Sequence, residues 1–448
     1  MANLKDNNWS SKLGFVLAAS GSAVGLGNIW RFPYLVAENG GGTFIFLYFL
    51  CSLGIALAIL LAEFTLGRML GQNMFTAFNN KTGRFLLNGM PIVVSTTILS
   101  FYFVVCGWIV FYFVQSLTGQ ISYSTNDSEY YNLIFKSLLA SPFILTLCTC
   151  IFIFLTIFIN YKGVVQGVER TNLFLLPMLF IILIIMILRV LTLEGASEGV
   201  KYVFSFDYNY VTSKALMAAL GQAFFSLSIG IGTMLIYSSY VKKDYNLKSS
   251  ATYTVLIGSG IGIFTSLLII PAVFAFNYDP NSGPGLTFIT LPAVFANLKF
   301  GFIFAALLFL IMGMAAITST ISLVEAAVPA LANLFKLTRK QAILCYAAIC
   351  VVISTIQGLA FNKFSGFTIF GKNTFDFAGN FSDYLLTFGA FIVCIVVGWI
   401  LPKAVAINEV TNNGTVPFKL VKVWLFILKY IAPSVIIIIV SNMIFKVL

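Results

Sequence analysis

Long apolar runs alternate with short polar stretches along the whole chain. Eleven runs stand out: residues 13–37, 43–70, 88–119, 142–160, 170–191, 214–241, 249–276, 300–334, 341–358, 380–402 and 424–446. About 20 apolar residues cross a bilayer as one helix, so the pattern predicts an all-α polytopic membrane protein of eleven spans. Connections are short apart from 120–141, 192–213, 277–299 and 359–379. The polar start, Met1–Lys12, leads into the first run without the layout of a cleavable signal.

Two runs are interrupted. Span 1 contains Ser20-Gly21-Ser22-Ala23-Val24-Gly25-Leu26-Gly27-Asn28, and span 6 contains Gly221-Gln222-Ala223-Phe224-Phe225-Ser226-Leu227-Ser228-Ile229-Gly230-Ile231-Gly232. Each glycine weakens a helix by about 1 kcal/mol relative to alanine. Clustered glycines beside local hydroxyls favour a break, and a break at membrane depth is tolerated only where the freed backbone lines a protected cavity. A small-residue packing seam is the competing reading of either run alone. The pair says more, because the interruptions lie five spans apart. That points to two five-span halves, an inverted repeat with a midplane site, by a rule drawn in part from the family named below. The expected organisation is residues 1–191 (spans 1–5), 192–213 (outer loop), 214–402 (spans 6–10) and 403–448 (inner loop and span 11).

Composition supports the membrane reading. Of 448 residues 59% are apolar and only 9% charged, against roughly 25% charged in a soluble domain. The chain has no histidine, which excludes His-based zinc sites, Ser-His-Asp and Cys-His catalysis, and histidine proton relays. The net charge of +11 fits cytoplasmic loops better than nucleic acid. With the N-terminus inside, 16 basic residues fall on inner positions, among them Lys81, Arg84, Lys162, Lys242 and Lys403, and 8 on outer ones. This fixes an N-in orientation and puts the C-terminus outside. All seven cysteines lie in apolar runs, so no disulfide framework is implied.

The interrupted helices also carry the chemistry. A break exposes unpaired N–H groups at one half-helix start, which attract a carboxylate, and unpaired C=O groups at the other half's end, which attract a cation. Ser22 and Asn28 flank the first break, Ser226 and Ser228 the second. Hard cations prefer such oxygens, so a site for a small zwitterion beside sodium follows in outline. Span 8 adds Thr318-Ser319-Thr320 and Ser322, too many hydroxyls to face one way. Intramembrane charges mark function by default. Arg31 fits an outer vestibule, and Glu63 and Glu325 fit a buried structural network.

At this point the chain resembles the neurotransmitter:sodium symporter family. The resemblance rests on Ser20 to Tyr34 (SGSAVGLGNIWRFPY), Glu38-Asn39-Gly40-Gly41-Gly42, Glu63-Phe64-Thr65-Leu66-Gly67-Arg68, Gly221 to Ser228, and Phe288-Ile289-Thr290-Leu291-Pro292-Ala293-Val294-Phe295. The span count is similar to bacterial members, which implies a bacterial cell membrane; no obligatory protein partner is evident from the sequence. The resemblance implies a substrate carboxylate on the backbone of Leu26 and Gly27 and the Tyr102 hydroxyl. The amino group would meet Ala23, Phe225, Ser226 and Ser228, with Ser22 nearby, and the side chain would lie among Ile98, Tyr102, Phe225, Ile231, Ser319 and Leu323. One sodium would use Gly21, Val24, Ala315, Thr318 and Ser319. A second would use Ala23, Asn28 and Ser226. Tyr102 and Phe225 would form a lid below Arg31.

The chain departs from the family's pattern in four places. Asp6 and Asn333 stand where an inner arginine–aspartate pair is usual, so the inner gate is built differently, with Lys5 as a candidate. The acid facing Arg31 is expected at Asp376, with Asp383 as the fallback. Ile231 replaces a phenylalanine of the leucine-transporting relative. In span 7, counting back from Pro271 puts Ile257 and Ile261 at the positions of a sodium-ligating asparagine and of a chloride-sharing or acidic residue. That favours one sodium and little chloride dependence. A shifted register would instead bring Ser259 to Tyr48, Gln222 and Ser226 as a chloride site. The function implied is sodium-coupled import of a neutral, hydrophobic or aromatic L-amino acid. A carrier of another carboxylate-bearing, osmolyte-type solute is the alternative, and a membrane-embedded enzyme or a channel finds little support.

Overall fold

The computed structural model describes residues 8–71, 89–120, 128–276, 278, 286–298 and 300–445. Among them, nine continuous helices are long and apolar enough to cross a membrane: Gly42–Leu70 (span 2), Met90–Leu117 (3), Pro142–Tyr161 (4), Val164–Val190 (5), Leu247–Ala275 (7), Gly301–Phe335 (8), Arg339–Leu359 (9), Thr374–Ile400 (10) and Val421–Asn442 (11). Span 1 is a bent pair, Lys12–Ala23 and Gly27–Glu38, turned by 53°. Span 6 is a second pair, Ser213–Ser226 and Thr233–Ser239. Short helices occupy the connections at Ser128–Ala140, Ala196–Phe204 and Lys403–Val410, and a small hairpin, Thr368–Ile369 with Lys372–Asn373, precedes span 10.

Two spans begin earlier than hydropathy suggests. Span 5 starts at Val164 rather than 170, after Gly163 at φ 93°. Span 10 starts at Thr374 rather than 380, where the Asn373 side chain accepts from the Asp376 N–H. In both, polar residues of the first turns (Gln166 and Glu169, then Asp376 and Asn380) mask a helix whose start is fixed by backbone geometry and capping.

The bends have local causes. In span 1 the Val24 N–H closes on the Ser20 carbonyl at 2.7 Å, and the next turn restarts with Asn28 N–H on Gly25 O at 3.0 Å. In span 6, Ser228 (φ 52°), Gly230 (φ 82°) and Gly232 (φ 92°) all take left-handed conformations. Gly230 is also sterically required, because a Cβ there would collide with the Leu386 carbonyl of span 10. Its freed N–H donates to the buried Glu63 carboxylate of span 2 at 2.8 Å, so the break is satisfied by protein, as a low-dielectric setting demands. Spans 3 and 8 pack along each other and flank these two helices. Phe143, Phe154, Ile181, Leu188, Val352 and Ile437 point outward and remain exposed, a surface suited to lipid tails.

Candidate functional site

The two breaks and the middle of span 8 meet at one pocket. Its walls include Ser22, Gly25, Gly27 and Asn28 from span 1, Ile98 and Tyr102 from span 3, and Phe225, Ser226, Ser228 and Ile231 from span 6. Span 8 contributes Ser319 and Leu323, and span 10 contributes Leu386. All the expected substrate-contacting residues line this space except Ala23 and Leu26, which offer backbone. Leu26 N–H donates to the Tyr102 hydroxyl at 3.0 Å, and Asn28 Nδ2 donates to Ala23 O at 3.0 Å. Sequence reasoning missed Leu386: an apolar residue on an apolar helix carries no signal.

Hydroxyls tie the three elements together. Ser322 Oγ donates to Ser22 Oγ at 2.8 Å, Ser22 Oγ to Ser228 Oγ at 3.1 Å, and Ser228 Oγ also reaches Ser22 O at 2.9 Å. The span 8 hydroxyls do face different ways. Thr318 Oγ1 lies 3.3 Å from Val24 O and 2.9 Å from Ala315 O, and Thr320 Oγ1 pairs with Thr156 of span 4 at 2.9 Å. Ser319 looks into the pocket beside Gly25 and Tyr102. Val24 O, Ala315 O and the Thr318 hydroxyl are thus gathered within hydrogen-bonding distance, an all-oxygen cluster of the kind hard cations choose. Among the described residues no group of three or more His, Cys, Asp or Glu side chains could hold a metal.

On the side away from the N-terminus, Tyr102 and Phe225 separate this pocket from a second cavity that Arg31, Tyr34, Phe101 and Asp383 also line. The Arg31 guanidinium stacks over the Phe225 ring at 5.3 Å. It pairs with Asp383, at 3.9 Å. This corrects the expectation for Asp376, which is exposed in the first turn of span 10 and bonded there to Asn373 at 2.8 Å.

On the N-terminal side the pocket is closed by aromatic and ionic contacts. Trp9 is fully buried, donating Nε1 to Tyr237 O at 2.7 Å and N–H to Tyr240 O at 3.2 Å. Ser10 gives its N–H and hydroxyl to the buried Glu169 carboxylate of span 5 at 3.0 and 2.6 Å. Glu325 holds Arg339 at 2.6 Å and accepts from Tyr240 at 3.2 Å. Arg68 meets Glu409 at 2.5 Å, Tyr245 O at 2.7 Å and Asn412 at 2.8 Å. Lys5 and Asp6 lie outside the described residues, and Asn333 is exposed. Glu169 was not anticipated; an acid near an apolar run looks like an ordinary helix start.

The span 7 register also needs correction. Ser259, not Ile261, faces Tyr48, with its hydroxyl 3.4 Å from the phenol. Gln222 Nε2 bonds Ser226 Oγ at 2.9 Å, and Ser226 also lies against the Tyr48 hydroxyl. Tyr48, Gln222, Ser226 and Ser259 therefore form one buried cluster. Ile261 is buried in the apolar core with Val24 and Ile29, and Ile257 is only partly buried. The residue one turn before Ser259 is Val255. Opposite the Asn28 amide, span 7 supplies a carbonyl: Asn28 Nδ2 donates to Gly258 O at 2.8 Å.

Comparison with known proteins places these features in context. The family model described as "Sodium:neurotransmitter symporter family" matches residues 6–134 and 139–448. An uncharacterized sodium-dependent transporter of Bacillus subtilis, YhdH, is 34% identical over 99% of both chains. A rat sodium- and chloride-dependent taurine transporter is 27% identical over 88% of this chain and 71% of its own. The crystal structure of MhsT in complex with L-phenylalanine matches with a TM-score of 0.87 and 35% identity, covering 98% of this chain and 99% of that one.

Proposed function

The chain belongs to the sodium:neurotransmitter symporter family, and from that premise we propose that it imports a neutral L-amino acid with a large apolar side chain, coupled to sodium, by alternating access. It is a multi-pass, sodium-dependent membrane transporter rather than an enzyme. The observation that carries the substrate reading is the uncharged pocket between the two helix breaks. Its polar end offers the Leu26 N–H and the Tyr102 hydroxyl, which now bond each other, and an incoming carboxylate takes both. The ammonium group lies toward Ala23, Phe225, Ser226 and Ser228. The sodium ion uses Gly21, Val24, Ala315, Thr318 and Ser319. Residues 1–191 and 214–402 act as the two inverted halves. The N-terminus is cytoplasmic in a bacterial plasma membrane, so the Trp9, Glu169 and Glu325 contacts form the inner closure, and Tyr102, Phe225 and the Arg31–Asp383 pair the outer one.

Substrate class follows from two features. Position 25 is glycine, with a Cβ there standing 2.6 Å from Ser319 Oγ and 3.2 Å from the Tyr102 hydroxyl, so no side chain at this position neutralises a bare ammonium. Such a group would enter unpaired at a cost of several kcal/mol, whereas a zwitterion brings its own carboxylate. The remaining walls, Ile98, Phe225, Ile231, Leu323 and Leu386, reward apolar filling by about 0.8 kcal/mol per methylene. In sodium-dependent uptake by proteoliposomes, leucine, methionine, phenylalanine, tyrosine and tryptophan are expected to outcompete glycine, taurine, dopamine and serotonin. Tightest binding of creatine, which bears a carboxylate, would favour the osmolyte-type reading, tightest binding of taurine, a sulfonate, would overturn both substrate readings, and sodium-independent uptake would overturn symport.

A second reading of the ions is favoured by one observation, the meeting of Ser259 with Tyr48, Gln222 and Ser226. The expectation of little chloride dependence rested on the earlier span 7 register. With Ser259 in place, chloride fits the cluster and offsets a second sodium at Ala23, Asn28 and Ser226. That second ion requires the Asn28 amide to turn its oxygen toward Ala23 O and Gly258 O, which its nitrogen now faces. Sodium-titrated amino-acid binding in chloride and in gluconate separates the two. A Hill coefficient near one with no anion effect fits a single sodium; cooperative sodium binding that weakens in gluconate fits the sodium–chloride pair.

A further inference from the structure

Span 5 is absent from the oxygen set assigned above to the sodium ion, yet it sends a polar side chain to that place. Asn172 is fully buried. Its amide nitrogen donates to Val168 O at 2.8 Å, within its own helix, which fixes the orientation of the amide. Its carbonyl oxygen, Oδ1, has no hydrogen-bond partner. Buried polar atoms are almost always satisfied, so an orphan oxygen at full burial calls for a partner.

The direction of Oδ1 identifies that partner. It fills the space where a side chain at position 21 would stand, against the Gly21 backbone, and Thr318 Cβ lies 3.3 Å from the same point. Gly21 and Thr318 are both members of the sodium-binding set, one from span 1 and one from span 8. Any residue larger than glycine at position 21 would displace the amide, so the glycine makes room for Asn172 as well as for the bend. A neutral amide oxygen is a hard donor of the type sodium prefers, and six oxygens suit a hard cation better than five.

We propose that Asn172 Oδ1 is a further sodium-binding oxygen, closing the site formed by Gly21, Val24, Ala315, Thr318 and Ser319 from the span 5 side. The proposal rests on the sodium site described above, and its test is built to tell the two apart. The purified full-length protein in detergent, without amino acid, is titrated with sodium and with lithium while its thermal unfolding is followed, since an ion that binds only the folded state raises the unfolding temperature. Sodium-dependent L-phenylalanine binding is measured in parallel.

Asn172→Ala is expected to raise the half-saturating sodium concentration roughly tenfold, the loss of one charge-assisted contact, and to alter the sodium-to-lithium ratio. Asn172→Asp, nearly isosteric, is expected to lower the half-saturating sodium by adding a charge beside the ion. If the alanine variant fails to fold, the aspartate variant carries the test. Unchanged ion titrations in the folded variants, with sodium response lost in Thr318→Ala, would overturn the role of Asn172 alone. A normal sodium response in Thr318→Ala would overturn the site itself, and this proposal with it.

Discussion

Sodium-stimulated amino-acid binding is expected to vanish in the double variant Thr318→Ala, Ser319→Ala. Thr318 Oγ1 is held between Val24 O and Ala315 O, at 3.3 and 2.9 Å, where in the proposed sodium site it would replace one water of the ion's shell, and Ser319 would replace another. With both removed, the proposed site would keep the carbonyls of Gly21, Val24 and Ala315 and the proposed Asn172 oxygen, too few to offset dehydration. Taking each lost contact as a charge-assisted hydrogen bond of about 1.5–3 kcal/mol, the pair amounts to roughly a 10²–10⁴-fold rise in half-saturating sodium. The measurement is labelled L-phenylalanine binding across a sodium titration. Unfolding temperature in sodium-free buffer serves as the control for folding. Thr318→Ala alone separates the ion effect from the pocket, because Ser319 also lines the substrate space. Native sodium dependence in the double variant would move the ion elsewhere.

The second large effect concerns stability. Glu325 is fully buried, and its carboxylate is held by Arg339 through two bonds of 2.8 and 2.6 Å and by Tyr240 at 3.2 Å. Arg339→Met strands that carboxylate. Breaking a buried pair on one side costs about 3–5 kcal/mol. A clear fall in unfolding temperature is expected, with part of it recovered when Glu325→Gln is added, because the uncompensated charge is then gone. The pair also joins spans 8 and 9 to Tyr240 at the N-terminal end of the bundle, so the single variant is expected to bind substrate less tightly as well. Unchanged thermal unfolding in Arg339→Met would show that the pair carries no structural weight.

Much of this site could be read from the chain in order. Gly21, Gly25 and Gly27 beside Ser20, Ser22 and Asn28 leave a helix little choice but to break, and the same holds from Ser226 to Gly232. Ser22, Gly27, Phe225, Ser226 and Ser228 line one pocket because they sit in two continuous segments whose backbone geometry is local. Arg31, four residues past Gly27, reaches the adjacent cavity for the same reason.

Rotation and pairing were not legible. Span 7 is apolar nearly all round, so its periodicity has no phase, and counting from Pro271 pointed two residues away from Ser259, the residue that meets Tyr48. The partner of Arg31 was equally open: Asp376 and Asp383 lie on the same helix, and only packing shows that the first is occupied with Asn373 while the second faces the guanidinium. Leu386 enters the pocket because Gly230 and Gly389 let the span 6 break lie directly against span 10.

The sequence by itself determined the class of protein, the helix breaks and the chemistry of the oxygens around them, because hydropathy and glycine act over a few neighbouring residues. Tertiary structure alone decided which side chains from distant spans join that chemistry: Ser259, Asp383, Leu386, Glu169 and Asn172. Each depends on the angle at which one apolar helix meets another, and that angle is set by side-chain packing across the bundle rather than by any local run of residues.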